Sequence, residues 1–250
     1  MNIQKINWAG LLVEDFEAGV KFFSSTLGLS LEELDEDKQV AQFRLSSGQL
    51  FEVFGPKNRE RKEKYRLLNG IALGFEVDNL EDVRKKLAAE GVEFITNVES
   101  SHHDSWAMFL GPEKKLFQIQ QSASARLSLA YTCLYVSNMN ESVQFYQDIL
   151  GLEPAHSEED PKASSWYAFK TGQTVLALEK NGVKKEGLKS KAENPILVQF
   201  AVESPHKLEE LNQQLESRGV KLLERSRRTN YGLITNFCDP DGNKLEIICQ

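Results

Sequence analysis

Phe22-Phe23-Ser24-Ser25-Thr26-Leu27-Gly28-Leu29 and Phe145-Tyr146-Gln147-Asp148-Ile149-Leu150-Gly151-Leu152 are two versions of one pattern, set 123 residues apart. In both, an aromatic pair is followed by a polar stretch and a Leu-Gly-Leu stop. Working outward, Gly48-Gln49 recurs as Gly172-Gln173 at an offset of 124, Phe75-Glu76-Val77 as Phe200-Ala201-Val202 at 125, and Gly91-Val92 as Gly219-Val220 at 128, an offset that Pro112 and Pro240 keep. An offset that only grows implies small insertions in a second copy, so the repeat sets the architecture.

Each copy also halves. Val13-Glu14-Asp15-Phe16 and the Gly28 that follows match Val77-Asp78-Asn79-Leu80 and Gly91, while Val136 to Gly151 matches Val202 to Gly219. Every module opens with a strand, at 6–13, 71–77, 129–136 and 196–202, in short runs of β-branched, aliphatic and aromatic residues. A helix follows, capped by Asp15, Asn79, Asn138 or Ser204. Its apolar positions recur every three to four residues: Val20, Phe23, Leu27; Leu80, Val83, Leu87; Met139, Val143, Tyr146; Leu208, Leu211, Leu215. Gly28, Gly91, Gly151 and Gly219 supply the left-handed stops. Three more strands complete the first module, at 31–34, 40–45 and 50–54, with Ser47-Gly48 turning between the last two.

The unit is βαβββ, and the fold class is α+β with four such modules. They fall into two domains: 1–121, made of 1–55 and 67–121, and 127–250, made of 127–180 and 194–250. A sheet covered by a helix on one face only leaves the other bare, so modules must pair and curve around clefts. The small polar run 121–125 reads as the linker between copies, and the charged runs 57–66 and 180–194 read as solvated connectors.

Composition narrows the function classes. A net charge of −7 repels a phosphate backbone, which argues against nucleic acid. The first eight residues lack a charged and then apolar leader, and no apolar run approaches a membrane span, so neither export nor a membrane partner is expected. Cys133, Cys238 and Cys249 lack Cys-x-x-Cys spacing and sit in apolar runs, which fits a reduced, cytoplasmic protein. Asn140-Glu141-Ser142 reads as a helix start, not a glycosylation acceptor.

Asp239-Pro240-Asp241-Gly242-Asn243 is a tight turn by its own chemistry, and Glu246 follows it in the next strand. The first copy keeps a worn version, Gly111-Pro112-Glu113-Lys114-Lys115. With the modular unit and the repeat length, this ending resembles the vicinal oxygen chelate superfamily, the glyoxalase, bleomycin-resistance and dioxygenase fold, over essentially the whole chain. The resemblance implies a cleft in which a divalent metal is held by His, Gln or Glu side chains from the first and last strand of each module. The first-strand positions here are Trp8, Ala72, Tyr131 and Leu197, and the last-strand positions are Glu52, Gln118, Leu176 and Glu246. Pairing within copies groups Trp8, Glu52, Ala72 and Gln118, then Tyr131, Leu176, Leu197 and Glu246. Pairing across copies groups Trp8, Glu52, Leu197 and Glu246, then Ala72, Gln118, Tyr131 and Leu176.

No grouping contains a histidine or more than two ligating side chains, whereas a catalytic metal generally takes three protein ligands and an open position. The expectation is therefore no metal and no other cofactor. His102-His103-Asp104 is read as a solvated turn, and His156 and His206 as surface residues.

Three functions follow from the resemblance. The first is a metal-free protein that sequesters a small organic molecule, as in the bleomycin-resistance branch, with Trp8 and Tyr131 as flat apolar contacts and Glu52, Gln118 and Glu246 as polar anchors. The second is a metal-dependent lyase, isomerase or dioxygenase, with Glu52 and Glu246 as candidate catalytic acid and base. The third is a non-catalytic structural or regulatory module whose clefts have filled. Four modules in one chain mimic the homodimer of single-copy relatives, so a monomer or weak homodimer is expected.

Overall fold

The computed structural model describes residues 3–58, 71–100, 105–121, 127–155, 164–180 and 196–250. The cluster His102-His103-Asp104, His156, the linker beyond Gln121 and most of the two charged connectors lie outside the described residues.

Module one contains β1 (Ile3–Leu12), α1 (Phe16–Lys21), β2 (Leu31–Asp35), β3 (Val40–Arg44) and β4 (Leu50–Phe54). Module two contains β5 (Ile71–Val77), α2 (Leu80–Ala89), the short β6 (Glu93–Phe94) and β7 (Glu99–Ser100), then β8 (Ser105–Leu110) and β9 (Leu116–Gln121). Module three contains β10 (Ser128–Val136), α3 (Met139–Gln144), β11 (Glu153–Pro154), β12 (Trp166–Thr171) and β13 (Thr174–Lys180). Module four contains β14 (Ile196–Val202), α4 (Pro205–Ser217), β15 (Leu222–Thr229), β16 (Gly232–Cys238) and β17 (Lys244–Cys249). Among the described residues no helix is long and apolar enough to cross a membrane.

The helices begin where the capping residues place them. Asp15 accepts from Ala18 N at 3.0 Å, Asn79 from Asp82 N at 3.1 Å, Asn138 from Glu141 N at 3.4 Å and Ser204 from Lys207 N at 3.3 Å. Gly28, Gly91, Gly151 and Gly219 follow the helices at φ between 70° and 87°. Two features differ from the sequence reading. α1 and α3 each run on into a wide π turn, Phe22–Thr26 and Phe145–Ile149. Gln121, read as the start of the linker, ends β9 instead. Its side chain donates to Asp78 O and accepts from Leu80 N, supporting the start of α2.

The sheets pair across the copies. Module one joins module four in the order β15-β16-β17-β14-β1-β4-β3-β2, and module three joins module two as β11-β12-β13-β10-β5-β9-β8-β6. The central joints are antiparallel, β1 with β14 and β10 with β5. Side chains alternate between a core face and a cleft face along each strand. On β1 a register shift between Ile6 and Trp8 leaves Ile6 in the core and turns Trp8 to the cleft.

One apolar core joins the two sheets. Phe23, in the π turn of module one, lies 4.7 Å from Phe51 of the first sheet and 5.5 Å from Phe117 of the second, centroid to centroid. Phe51 meets Phe75 edge to face at 5.6 Å, and such pairs contribute about 0.5–1.5 kcal/mol beyond area burial.

The turns cross-link what the sheets do not. Glu113 Oε1 accepts the backbone N–H of Glu14 at 2.5 Å and of Asp15 at 3.0 Å, so module two braces the chain that enters the helix of module one. Asp241 repeats this in the second copy, accepting from Ser137 N at 2.7 Å and Ser142 Oγ at 3.2 Å. Sheets therefore tie one copy to the other, and turn carboxylates tie modules within a copy.

Candidate functional site

The first sheet wraps a cavity of about 780 Å³ whose lining includes Trp8, Leu50, Glu52, Gln199, Ala201 and Glu246. The register explains the convergence. Glu246 of β17 lies beside Gln199 of β14, which faces Trp8 of β1, which lies beside Leu50 of β4. Glu52 occupies the equivalent place in the other half, beside Gly10. Period-two alternation aims all of these side chains to one face.

Each carboxylate carries an amide partner. Gln42 Nε2 donates to Glu52 Oε1 at 2.6 Å, and Gln199 Nε2 donates to Glu246 Oε1 at 2.5 Å. On the far side of Glu246 stands Asn236, which donates to Glu224 Oε2 at 2.6 Å. Its Oδ1 is buried and has no hydrogen-bond partner among the described residues. Charged groups ring the mouth: Lys5, Arg44, Glu203, Arg227 and Arg228 all line it. Arg44 is held by Glu32 at 2.8 Å and Arg227 by Glu224 at 3.2 Å.

The hairpin tip that joins β15 to β16 overhangs the opening, with Tyr231 at 66% exposure.

The divalent ion that the resemblance implies does not fit this donor set. Where a third and a fourth ligand would stand, Trp8 and Leu197 instead pack with Leu12 and Phe54 in an apolar cluster. Two carboxylates remain, each engaged by an amide, on strands separated by β1 and β14. Among the described residues no three His, Cys, Asp or Glu side chains gather as a metal site. His206 is exposed and pairs with Glu210 at 3.0 Å.

The second sheet brings together Ala72, Gln118 and Tyr131, as the across-copy grouping places them. Its cleft face is mostly apolar: Ala72, Leu116 and Cys133 form the floor, with Ile95, Met108, Leu110, Tyr131 and Tyr135 packed on it. Gln118 donates to Gln120 Oε1 at 3.3 Å, and Tyr131 Oη accepts from Trp166 Nε1 at 3.0 Å.

Leu176 is a correction. It lies in the core with no exposure, and the residue that matches Glu52 is Ala177, beside Cys133. The Gly48 turn spans three residues between paired Leu45 and Gln49, whereas Gly172-Gln173 is a two-residue turn between Thr171 and Thr174. Counting from the shared Gly-Gln slips the register by one and flips the face. Gln42, Gln199 and Asn236 escaped the sequence reading. Two of them were within its reach: Gln199 is two residues after Leu197 on the same face, and Gln42 is the hairpin partner of Glu52.

Comparison with known proteins agrees with this fold. The family model for the Glyoxalase/Bleomycin resistance protein/Dioxygenase superfamily matches residues 5–114 and again 128–247, and the chain belongs to that superfamily. It is similar to glyoxalase I from Zea mays (TM-score 0.70, 15% identity, 98% of this chain and 92% of that one). It is likewise similar in fold to a structure from Bacillus subtilis subsp. subtilis str. 168 assigned provisionally to the dioxygenases (TM-score 0.74, 12% identity, 99% and 86%). In sequence, the uncharacterized protein YraH of Bacillus subtilis (strain 168) is 31% identical over 123 residues, which cover 46% of this chain and 91% of the relative.

Proposed function

We propose that the protein binds a small organic molecule in the cavity of the first sheet without a metal ion or other cofactor. The observation that carries this reading is the composition of the cavity. Trp8 and Leu50 offer apolar surface beside the acceptor groups of Glu52 and Glu246, in a volume of about 780 Å³, within the ordinary range for a ligand pocket. Acceptors on the floor favour a ligand rich in N–H or O–H donors. Trp8 contributes as a flat face, Glu52 and Glu246 as anchors that Gln42 and Gln199 hold in place.

We place this activity in the cytoplasm, a reading supported by Cys133, Cys238 and Cys249 standing outside any disulfide. One chain supplies both halves of each sheet, which favours a monomer.

Two experiments test the proposal. A thermal-shift screen against metabolites and antibiotics should yield hits that Trp8→Ala and the pair Glu52→Gln/Glu246→Gln abolish. Calorimetric titration with Mn²⁺, Fe²⁺, Ni²⁺ and Zn²⁺ should give no stoichiometric tight binding. A cation held by three or more protein atoms in this cavity would replace sequestration with metal-assisted catalysis.

A further inference from the structure

The cleft face of the first sheet carries two neighbouring rows of opposite character. One runs Gln199, Glu246, Asn236 across β14, β17 and β16, with Trp8 at its β1 end. The other, two residues away along those three strands and so about 7 Å distant, runs Ala201, Ile248, Ile234. Polar residues are what a wetted sheet face carries, and the first row obeys that rule. The second does not. Ala201, Ile248 and Ile234 form an apolar cluster of their own, apart from the core that joins the sheets, and all three line the cavity. Water is held poorly over such a floor, and an apolar group that replaces it gains affinity. Lys5 and Arg227 bound the row at its two ends, so the apolar strip is three residues wide and suits a single chain.

Tyr231 stands beyond the strip, three residues before Ile234, and lines the same cavity at 66% exposure. The hairpin tip that carries it is braced. Thr229 Oγ1 donates to Gly232 O at 2.9 Å and accepts from Tyr231 N at 3.1 Å. Gly232, at φ 141°, lies so near the Cys249 carbonyl that a Cβ there would collide with it. A large ring is thus held at the mouth, in line with an apolar floor.

We propose that the first cavity takes an elongated amphipathic ligand, whose N–H or O–H donor head meets Glu52 and Glu246 and whose apolar tail lies over Ala201, Ile248 and Ile234 and ends under Tyr231. This rests on the reading of the cavity as a small-molecule site. It adds the tail subsite, with Tyr231 as the residue that selects for length.

Titration of the native protein with butylamine, hexylamine and octylamine, followed by NMR, tests this. Each two-carbon step should tighten binding by about tenfold, since a buried methylene contributes about fourfold. Tyr231→Ala should weaken octylamine about tenfold more than butylamine, whereas Tyr231→Phe should leave the series unchanged, because the ring and not its hydroxyl covers the tail. Affinity that does not change with chain length in the unaltered protein overturns the proposal, a comparison that needs no variant. So does a Tyr231→Ala loss equal for butylamine and octylamine. If no amine binds while the metabolite screen yields hits that Trp8→Ala abolishes, the tail subsite falls and the small-molecule reading stands; if neither binds, both fall.

Discussion

Asp239 Oδ2 accepts the hydroxyl proton of Tyr146 at 2.8 Å, joining the turn before the last strand of module four to the helix end of module three. The same carboxyl accepts from Asn243 Nδ2 and Asn243 N, both at 2.8 Å, and from Asp241 N at 3.0 Å. Burial outweighs these four donors and raises its pKa from 3.8 to about 6.

The raised value sets a pH dependence. Between about pH 4 and 6 the folded chain holds a proton at Asp239 that the unfolded chain has released, so this contribution to stability is complete below about pH 4 and is lost as pH rises through 6. Asp239→Asn removes the titration, and an asparagine can keep the backbone donors on its oxygen. The stability of the variant relative to the unaltered protein should therefore improve by on the order of 1–3 kcal/mol from pH 4 to pH 7.5, by urea denaturation. A difference that does not move with pH would place the titration elsewhere.

The turn carboxylates brace the chain entering a helix of a neighbouring module. Glu113→Ala strips an acceptor from Glu14 N and Asp15 N, and Asp241→Ala strips one from Ser137 N. Each should cost about 1 kcal/mol, the net value of a lost hydrogen bond. Hydrogen exchange should locate the loosening in α1 for the first variant and in α3 for the second. Loosening confined to the mutated turn itself would contradict the cross-module role.

Lys114 occupies the place that Gly242 fills in the second copy, and both are left-handed, at φ 59° and 81°. A left-handed L-residue costs roughly 1–2 kcal/mol, part of which glycine returns as unfolded-chain entropy. Lys114→Gly should therefore stabilise by about 0.5–1 kcal/mol, measured as a higher urea midpoint at unchanged slope.

Much of this fold was legible because local chemistry and tertiary demand agree. Asp15, Asn79, Asn138 and Ser204 cap because a side-chain acceptor there is needed whatever packs nearby, and the strands at 71–77 and 196–202 are apolar almost throughout since both faces are covered. The choice between pairing modes was not legible, because both bury the same faces and differ only in which edges meet. Leu176 failed for a reason internal to β-structure: a one-residue difference in turn length, invisible in a Gly-Gln match, inverts every side chain beyond it. Of the cleft amides, Gln199 and Gln42 follow from strand period and hairpin pairing once Leu197 and Glu52 are placed, whereas Asn236 shows itself only as a cross-strand neighbour of Glu246.

Gly74 sits where the backbones of β5 and β10 pair closely, facing Tyr131. A Cβ built there falls 2.7 Å from Tyr131 Cβ, well inside van der Waals contact. Gly74→Ala should destabilise by roughly 1–3 kcal/mol, as overpacking does. Tyr131→Ala retains the colliding carbon and should not relieve the clash, whereas Tyr131→Gly should. Equal rescue by both would mean the ring, not the Cβ, is the obstacle.

Gln199 and Gln42 should differ in weight although their geometry is alike. The Gln199 bond to Glu246 is buried, whereas the Gln42 bond to Glu52 is only partly so, and removing a donor from the more deeply buried carboxylate forfeits more of what offsets its desolvation. Gln199→Met, close in volume and without a donor, should cost on the order of 1–3 kcal/mol, and Gln42→Met distinctly less. Both should also weaken any ligand found by thermal shift, because the amides fix the orientation of the two carboxylates toward the cavity. If Gln42→Met proves the more costly of the two, solvent reaches Glu246 more readily than its 2% exposure implies, and the deep end of the cavity lies on the module-one side.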